Sequence, residues 1–377
     1  MIAFVITGIA LLAVLVARAG VARAAARSAV AARLRTLYTL LAALLALRLL
    51  AALVPDTAIA VPVMLVASWL PMAGLRLVEE LRRRHAPREL KLVALGGALA
   101  FTAMALTVGI VWSTGALLAL AAYQAAMLAA MAVLLASGAS DLAPAERLTA
   151  ATFLLALLFA IPLAASDFAA LLPHATVRGG AFAVLILVLA TSRLATRGGT
   201  PALLLRDLAA CAAASGAIVL VAVAAVPHLS GDAAASLAAG GAALAALLLL
   251  VERFAADRAG PSGLIAALAR APGTDPATII AAHPLLATGR MVGDDELAGY
   301  PANSLAQLAE HRVISADIGD GDAKEAARDL LDAAAATHLL RISRTPPRFL
   351  AIAAGGLAAP ALDDELAVAA RLIGGVA

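Results

Sequence analysis

Polar side chains stranded in long apolar runs are the first place to look for chemistry, because hydrocarbon does not solvate them and they mark substrate or ion pathways by default. Four stand out in this chain: Arg48, Gln124, Arg206 and Asp207. Arg48 lies inside the run Leu37–Leu53, Gln124 midway along Ala116–Leu135, and Arg206 and Asp207 open the run Leu208–Val226. The plainer expectations are that Arg48 and Arg206 snorkel to the interface and that Gln124 makes an interhelical hydrogen bond. Arg206 and Asp207 are adjacent, so on a helix they point about 100° apart and need not pair. Asp167 and His174 fall near the end of the sixth run, where His174 reads as a solvated loop residue. No file of acids or histidines crosses the apolar runs, as a proton-coupled pump would want.

Outside those runs the chemistry is sparse. Asp317-Ile318-Gly319-Asp320-Gly321-Asp322 invites a calcium reading. An EF-hand, however, places ligands at positions 1, 3 and 5, glycine at 6 and glutamate at 12. Counted from Asp317 the acids fall at 1, 4 and 6, so a polar turn capping the next helix is the better reading. No phosphate-cradling glycine loop, zincin helix or nucleophile elbow occurs. Cys211 is the only cysteine, which excludes an internal disulfide and a cysteine-built metal site. The sequence thus assigns no catalytic residue, no metal site and no cofactor. Gly355-Gly356 reads as a hairpin turn, and His283-Pro284 as a surface feature. Arg341, Arg344 and Arg348 share one hairpin, where they are surface residues able to receive a partner's acidic face.

The elements that position these residues follow from composition. Of 377 residues, 63% are hydrophobic and 14% charged, with mean hydropathy +0.97. A soluble domain is nearer half apolar and a quarter charged, so lipid must be a second solvent. A spanning helix needs about 20 mostly apolar residues. Nine runs qualify: Ile2–Ala17, Leu37–Leu53, Ala58–Leu75, Leu92–Val111, Ala116–Leu135, Leu148–Ala165, Ala181–Ala195, Leu208–Val226 and Ala233–Val251. The first and seventh are short. Residues 18–36, rich in alanine and arginine, suggest a helix lying on the inner surface. Ala17-Arg18-Ala19 resembles a signal-peptide cleavage site, but no basic residue precedes Ile2, so an uncleaved first helix is expected.

Charge orients the bundle. If Met1 is outside, the loops that fall inside carry 17 of the arginines and lysines and the opposite loops carry only Arg178. Basic loops stay cytoplasmic, so the N-terminus is expected outside and the chain after Val251 inside, in a bacterial inner membrane. The pI near 9.5 therefore argues for anionic headgroups rather than nucleic acid.

Composition shifts near Gly260-Pro261 to ordinary soluble sequence. Pro261–Ala271, Asp275–His283, Asn303–His311, Asp322–Ala336 and Asp363–Ile373 read as helices, the second with Asp275 as N-cap and Pro276 at N1. Asp363, Asp364 and Glu365 suit the first turn of the last helix. Val313–Ala316 reads as a short strand, and Thr337–Ser343 with Arg348–Ala354 as a hairpin about Thr345-Pro346-Pro347. The expectation is a membrane all-α bundle of about nine transmembrane helices over residues 1–255, followed by a small α+β cytoplasmic domain over 261–377.

THLLRISRTPPRFLAIAAG followed by APALDDELAVAARLIG resembles the second half of a GAF domain, in which a strand, a turn, a second strand and a closing helix opened by acids follow one another. SLAQLAEHRVISADIGDGDAKEAARDLL fits the helix, short strand and helix upstream. The likeness covers residues 300–377. It departs at the front, where HPLLATGRMVGDDELAGY poorly matches the family's first two strands. Many multi-spanning sensor histidine kinases carry such a domain directly after their last helix. The resemblance implies a sensory or scaffolding membrane protein whose GAF-like domain serves signalling, dimerisation or partner contact. His311 and His338 do not sit in a phospho-acceptor helix and no ATP-binding module is recognised, so kinase activity is not implied. The alternative is a transporter or membrane enzyme with a regulatory tail.

Reporter fusions test the topology. Fusions at residues 86 and 260 should read cytoplasmic and a fusion at residue 230 external. A cytoplasmic reading at 230 would refute the nine-helix arrangement.

Overall fold

The computed structural model describes residues 2–22, 29–54, 57–82, 84–109, 113–137, 144–167, 178–195, 201–226, 228–259, 263–273, 275–315, 318, 320–334, 336–352 and 360–374. The chain divides into two compact units that meet in sequence between Ala256 and Asp257.

The first unit is helical. Its helices are α1 (Ile2–Val21), α2 (Ala29–Leu53), α3 (Thr57–Arg82), α4 (Arg88–Leu106), α5 (Thr114–Ser137), α6 (Pro144–Ala165), α7 (Gly180–Ala195), α8 (Pro201–Ala225) and α9, which begins at Gly231 and ends at Ala259. Each of the nine expected runs has its helix. Among the described residues, all but α7 are long and apolar enough to cross a membrane, as a multi-pass membrane protein requires. The first run, short at Ile2–Ala17, reaches spanning length by continuing to Val21, so that α1 has 20 residues. The expected surface helix over 18–36 does not form among the described residues. Arg18 to Val21 continue α1, and Ala29 to Thr36 begin α2. The reason is packing: Ala31, Leu34, Tyr38, Leu41 and Leu45 make one buried stripe along α2, and that stripe starts before the apolar run does.

Prolines sit inside α3 and α6, at Pro62, Pro71 and Pro162. A helical proline withholds an N–H from the carbonyl four residues earlier, so that oxygen needs another donor. Pro71 frees Ala67, and Gln124 Nε2 of α5 donates to the Ala67 carbonyl at 3.0 Å. Elsewhere helices approach through small residues. A Cβ on Gly97 of α4 would meet the Tyr123 ring of α5 at 2.3 Å, and Tyr123 donates to the Ala94 carbonyl at 2.7 Å. Outward apolar side chains such as Leu220 and Val221 of α8, 72% and 68% exposed, suit contact with lipid.

The second unit is a small α+β fold. It contains α10 (Gly263–Ala269), α11 (Pro276–Ala281), α12 (Pro284–Ala287), β1 (Arg290–Val292), α13 (Asp294–Leu297), α14 (Ala302–Leu308), β2 (Val313–Ile314), α15 (Gly321–Ala333), β3 (His338–Arg344), β4 (Pro347–Ile352) and α16 (Pro360–Gly374). The strands form one antiparallel sheet in the order β1-β4-β3-β2. The expected hairpin is β3-β4; residues 353 and 354, expected in its second strand, lie outside the described residues. Strand β1 went unanticipated because three residues between Gly289 and Gly293 carry no alternation to read.

Side chains of the hairpin alternate between two cores, with an irregularity in the β3–β4 register between Arg341 and Ser343. Leu339, Phe349 and Ala351 face a core with Ala326, Leu330 and Leu331 of α15. Leu340, Leu350 and Ile352 face a second core with Leu366, Ala369 and Ile373 of α16. Helices therefore cover both sides of the sheet. One expectation for this core fails: Leu372 is 43% exposed and Ile373 is fully buried in its place. The helix opens at Pro360, so of its acids only Asp363 stands in the first turn, while Glu365 is buried. Asp275 caps α11 as expected, accepting from the Thr278 amide at 2.9 Å. The hydrogen bonds from Thr278 hold its carboxyl below the ordinary range, so this cap is present above that range and is lost as acid protonates it.

Phe349 is fully buried between β4 and α15. Phe349→Ala should cost about 3–5 kcal/mol through lost burial and the cavity left behind. Hydrogen exchange on the full chain should show β3 and β4 losing protection while α2 to α5 keep theirs. Unchanged protection of β4 would refute the assigned core.

Candidate functional site

The first unit encloses a chamber of about 600 Å³ that is partly open to the outside of the bundle. Helices α2, α3, α5, α6 and α7 wall it. Apart from Gln124, its polar residues gather at one end. Arg48, Asp167, Arg178 and Thr114 lie there, where α2 and α6 end and α5 and α7 begin. Towards the other end the wall is apolar: Leu37, Gly74, Met131, Phe153 and Leu187. On α2 the wall runs from Leu37 to Arg48, about 16 Å of helix at 1.5 Å per residue.

Asp167 organises the mouth. Its Oδ2 lies 2.5 Å from Arg48 Nη1, an ion pair between the end of α2 and the turn after α6. Its Oδ1 accepts from the Gly180 amide at 2.8 Å, which caps the start of α7. The preceding amide, Gly179, donates to Ser166 Oγ at 2.7 Å. A carboxylate at a helix start is doubly favoured, by the free N–H groups and by the helix dipole. Residue 180 must be glycine for this geometry, since a Cβ there would meet the Asp167 carboxylate at 1.9 Å. Arg48 therefore does not simply snorkel. It is held by Asp167, with its side chain 35% exposed. Arg178 is exposed and has no ion-pair partner among the described residues. Among the described residues, the mouth holds two guanidinium groups and one carboxylate.

Gln124 lines the chamber halfway down, and its bond to Ala67 is the interhelical hydrogen bond expected of it. Arg206 and Asp207 are not in the chamber. Arg206 is exposed on α8, while Asp207 is 3% exposed and pairs with Arg253 of α9. Arg253 also donates to Ser192 Oγ of α7 at 2.9 Å. These bonds tie α7, α8 and α9 together. Arg253 follows the last apolar run as one of the basic residues that orient the bundle, and nothing in its spacing names Asp207 as partner. His174 lies outside the described residues.

The hairpin arginines of the second unit have local partners. Arg341 Nη1 donates to the Ala309 carbonyl at 2.5 Å, Arg344 lies 3.4 Å from Glu310, and Arg348 lies 3.9 Å from Asp294. His338 is buried on the sheet and bonds Asp363 at 3.1 Å. Among the described residues, no group of three or more histidines, cysteines or acids is placed to hold a metal ion. Asp317 and Gly319 of the acidic turn lie outside them.

The chain matches no protein-family model, no curated protein and no solved structure.

The mouth is testable by a double-mutant cycle. Arg48→Ala and Asp167→Ala should each destabilise the bundle in equilibrium unfolding from mixed micelles. The double variant should lose less than the sum, with a coupling of about 0.5–3 kcal/mol. Additive losses would show that the two side chains do not act as a pair.

Proposed function

We propose that this chain is a membrane-embedded sensory protein: a ligand-holding bundle of helices followed by a cytoplasmic, GAF-like domain that acts by contact with a second copy. In this reading the chain sits in a bacterial inner membrane with its N-terminus outside, as the arginine and lysine bias indicates. The hairpin β3-β4 and closing helix α16 support the GAF resemblance of residues 300–377. At the front the domain departs from the family, since β1 alone stands where two strands are expected.

The observation that carries the reading is the outer face of α16. Asp364, Val368, Arg371 and Leu372 are all exposed and fall at i, i+4, i+7 and i+8, one stripe of the helix. Val368 and Leu372 are 40% and 43% exposed. Two such helices laid antiparallel about a two-fold axis bring Asp364 of each near Arg371 of the other, around an apolar centre. An isologous contact requires this kind of self-complementarity. The transporter reading draws on the chamber, which reaches both Arg48 and Gln124. Its apolar walls make it a poor water path, and the sensory reading takes it as the ligand site.

Cross-linking in membranes checks this. In a Cys211→Ala background, Leu372→Cys should give a dimer with a short bis-maleimide, and Glu325→Cys, exposed on α15, should not. Absence of the Leu372→Cys dimer, or equal yield at both positions, would refute dimerisation through α16.

A further inference from the structure

We infer that the chamber of the helical unit binds a single-chain amphiphile with an anionic head, a long-chain carboxylate or alkyl phosphate, its head at the Arg48–Asp167–Arg178 mouth and its chain among the leucines below. This rests on the chamber alone and not on the role assigned to the second unit.

Three observations converge. The first is shape. The volume of about 600 Å³ is within the range of small-molecule sites. Its wall runs about 16 Å along α2, a depth that one extended hydrocarbon chain can follow. That depth is also about half of the ~30 Å hydrocarbon thickness, the reach of a chain in one leaflet. The second is the sorting of the wall. Below the mouth, Leu37, Leu45, Met131, Phe153 and Leu157 offer no hydrogen bond, and Gln124 halfway down has its amide nitrogen engaged with Ala67. A polar solute would strand its groups there, at a cost an apolar chain avoids. The third is charge. A guanidinium has five N–H donors, and Arg48 holds Asp167 through Nη1. Arg178 adds a second cation with no partner among the described residues. Asp167 is turned to Arg48 and to the Gly180 amide, so it fixes Arg48 in place, and among the described residues one guanidinium more than the carboxylates remains. The bidentate fork of arginine suits carboxylate and phosphate alike.

The probe is a palmitate carrying a photoreactive diazirine near its methyl end, added to the full chain in phosphatidylcholine nanodiscs. Labelling should fall on α2, α5 or α6 around Leu37, Met131 and Phe153. Unlabelled palmitate and hexadecyl phosphate should compete, and the stronger of the two identifies the head. Hexadecanol should compete weakly and hexadecyltrimethylammonium least. Arg178→Gln, at an exposed position, should weaken palmitate competition about two- to fivefold and leave hexadecanol unchanged, the size of one exposed charge pair. Leu157→Trp should fill the chamber and abolish labelling; if that variant does not fold, Arg178→Gln decides. Labelling spread over the lipid-facing helices, equal competition by the cationic amphiphile, or no effect of Arg178→Gln would each overturn the proposal. Loss of cross-linking at Leu372→Cys would leave it standing, because that experiment reads only α16.

Discussion

Hydrocarbon supplies no hydrogen bonds, so every polar group in a helical bundle of this kind must find its partner within the protein. That constraint explains how few polar side chains the first unit carries and how each is used. Pro71 withholds a donor from Ala67, and Gln124 supplies one from another helix. Tyr38 is fully buried and meets Thr191, joining α2 to α7. Arg253 reaches Asp207 and Ser192, joining α9 to α8 and α7. Ser215 donates to the Ala238 carbonyl at 2.7 Å across α8 and α9. Between these bonds packing rests on alanine and glycine, which let backbones approach closely.

The mouth of the chamber follows the same logic, with a charge added. Asp167 completes the hydrogen bonding of a helix start and at the same time holds an arginine. A partly exposed ion pair contributes little net stability. The arrangement fixes where a guanidinium points more than it strengthens the bundle. Placing that group at the rim of an apolar chamber gives the chamber a polarity from end to end.

The helices were legible because hydropathy needs only composition and length, and the alternation of basic loops checked their number. The hairpin was legible because β3 and β4 alternate between two cores. What stayed hidden was pairing. Arg48 and Asp167 were both visible as polar residues near apolar runs, but 119 positions separate them in sequence, and no local pattern joins them. Arg253 and Asp207 are a second case. Strand β1 escaped because its partner β4 defines it, not its own three residues. Leu372 was misplaced by one position: a buried helical stripe returns at i+3 and i+4, so Ala369, Ala370 and Ile373 belong to it and Leu372 does not.

Helix α7 has 16 residues, against 25 in α2 and 24 in α5 beside the same chamber. At 1.5 Å per residue it is about 24 Å long, short of the ~30 Å thickness of a bilayer's hydrocarbon layer. From Ala181 to Ser192 its side chains are buried or half-buried, so protein rather than lipid surrounds it and the bilayer need not thin to match it. A helix covered in this way can begin below the level of its neighbours, because the amides at its start, Gly179 and Gly180, are met by Ser166 and Asp167 and not by headgroups or water.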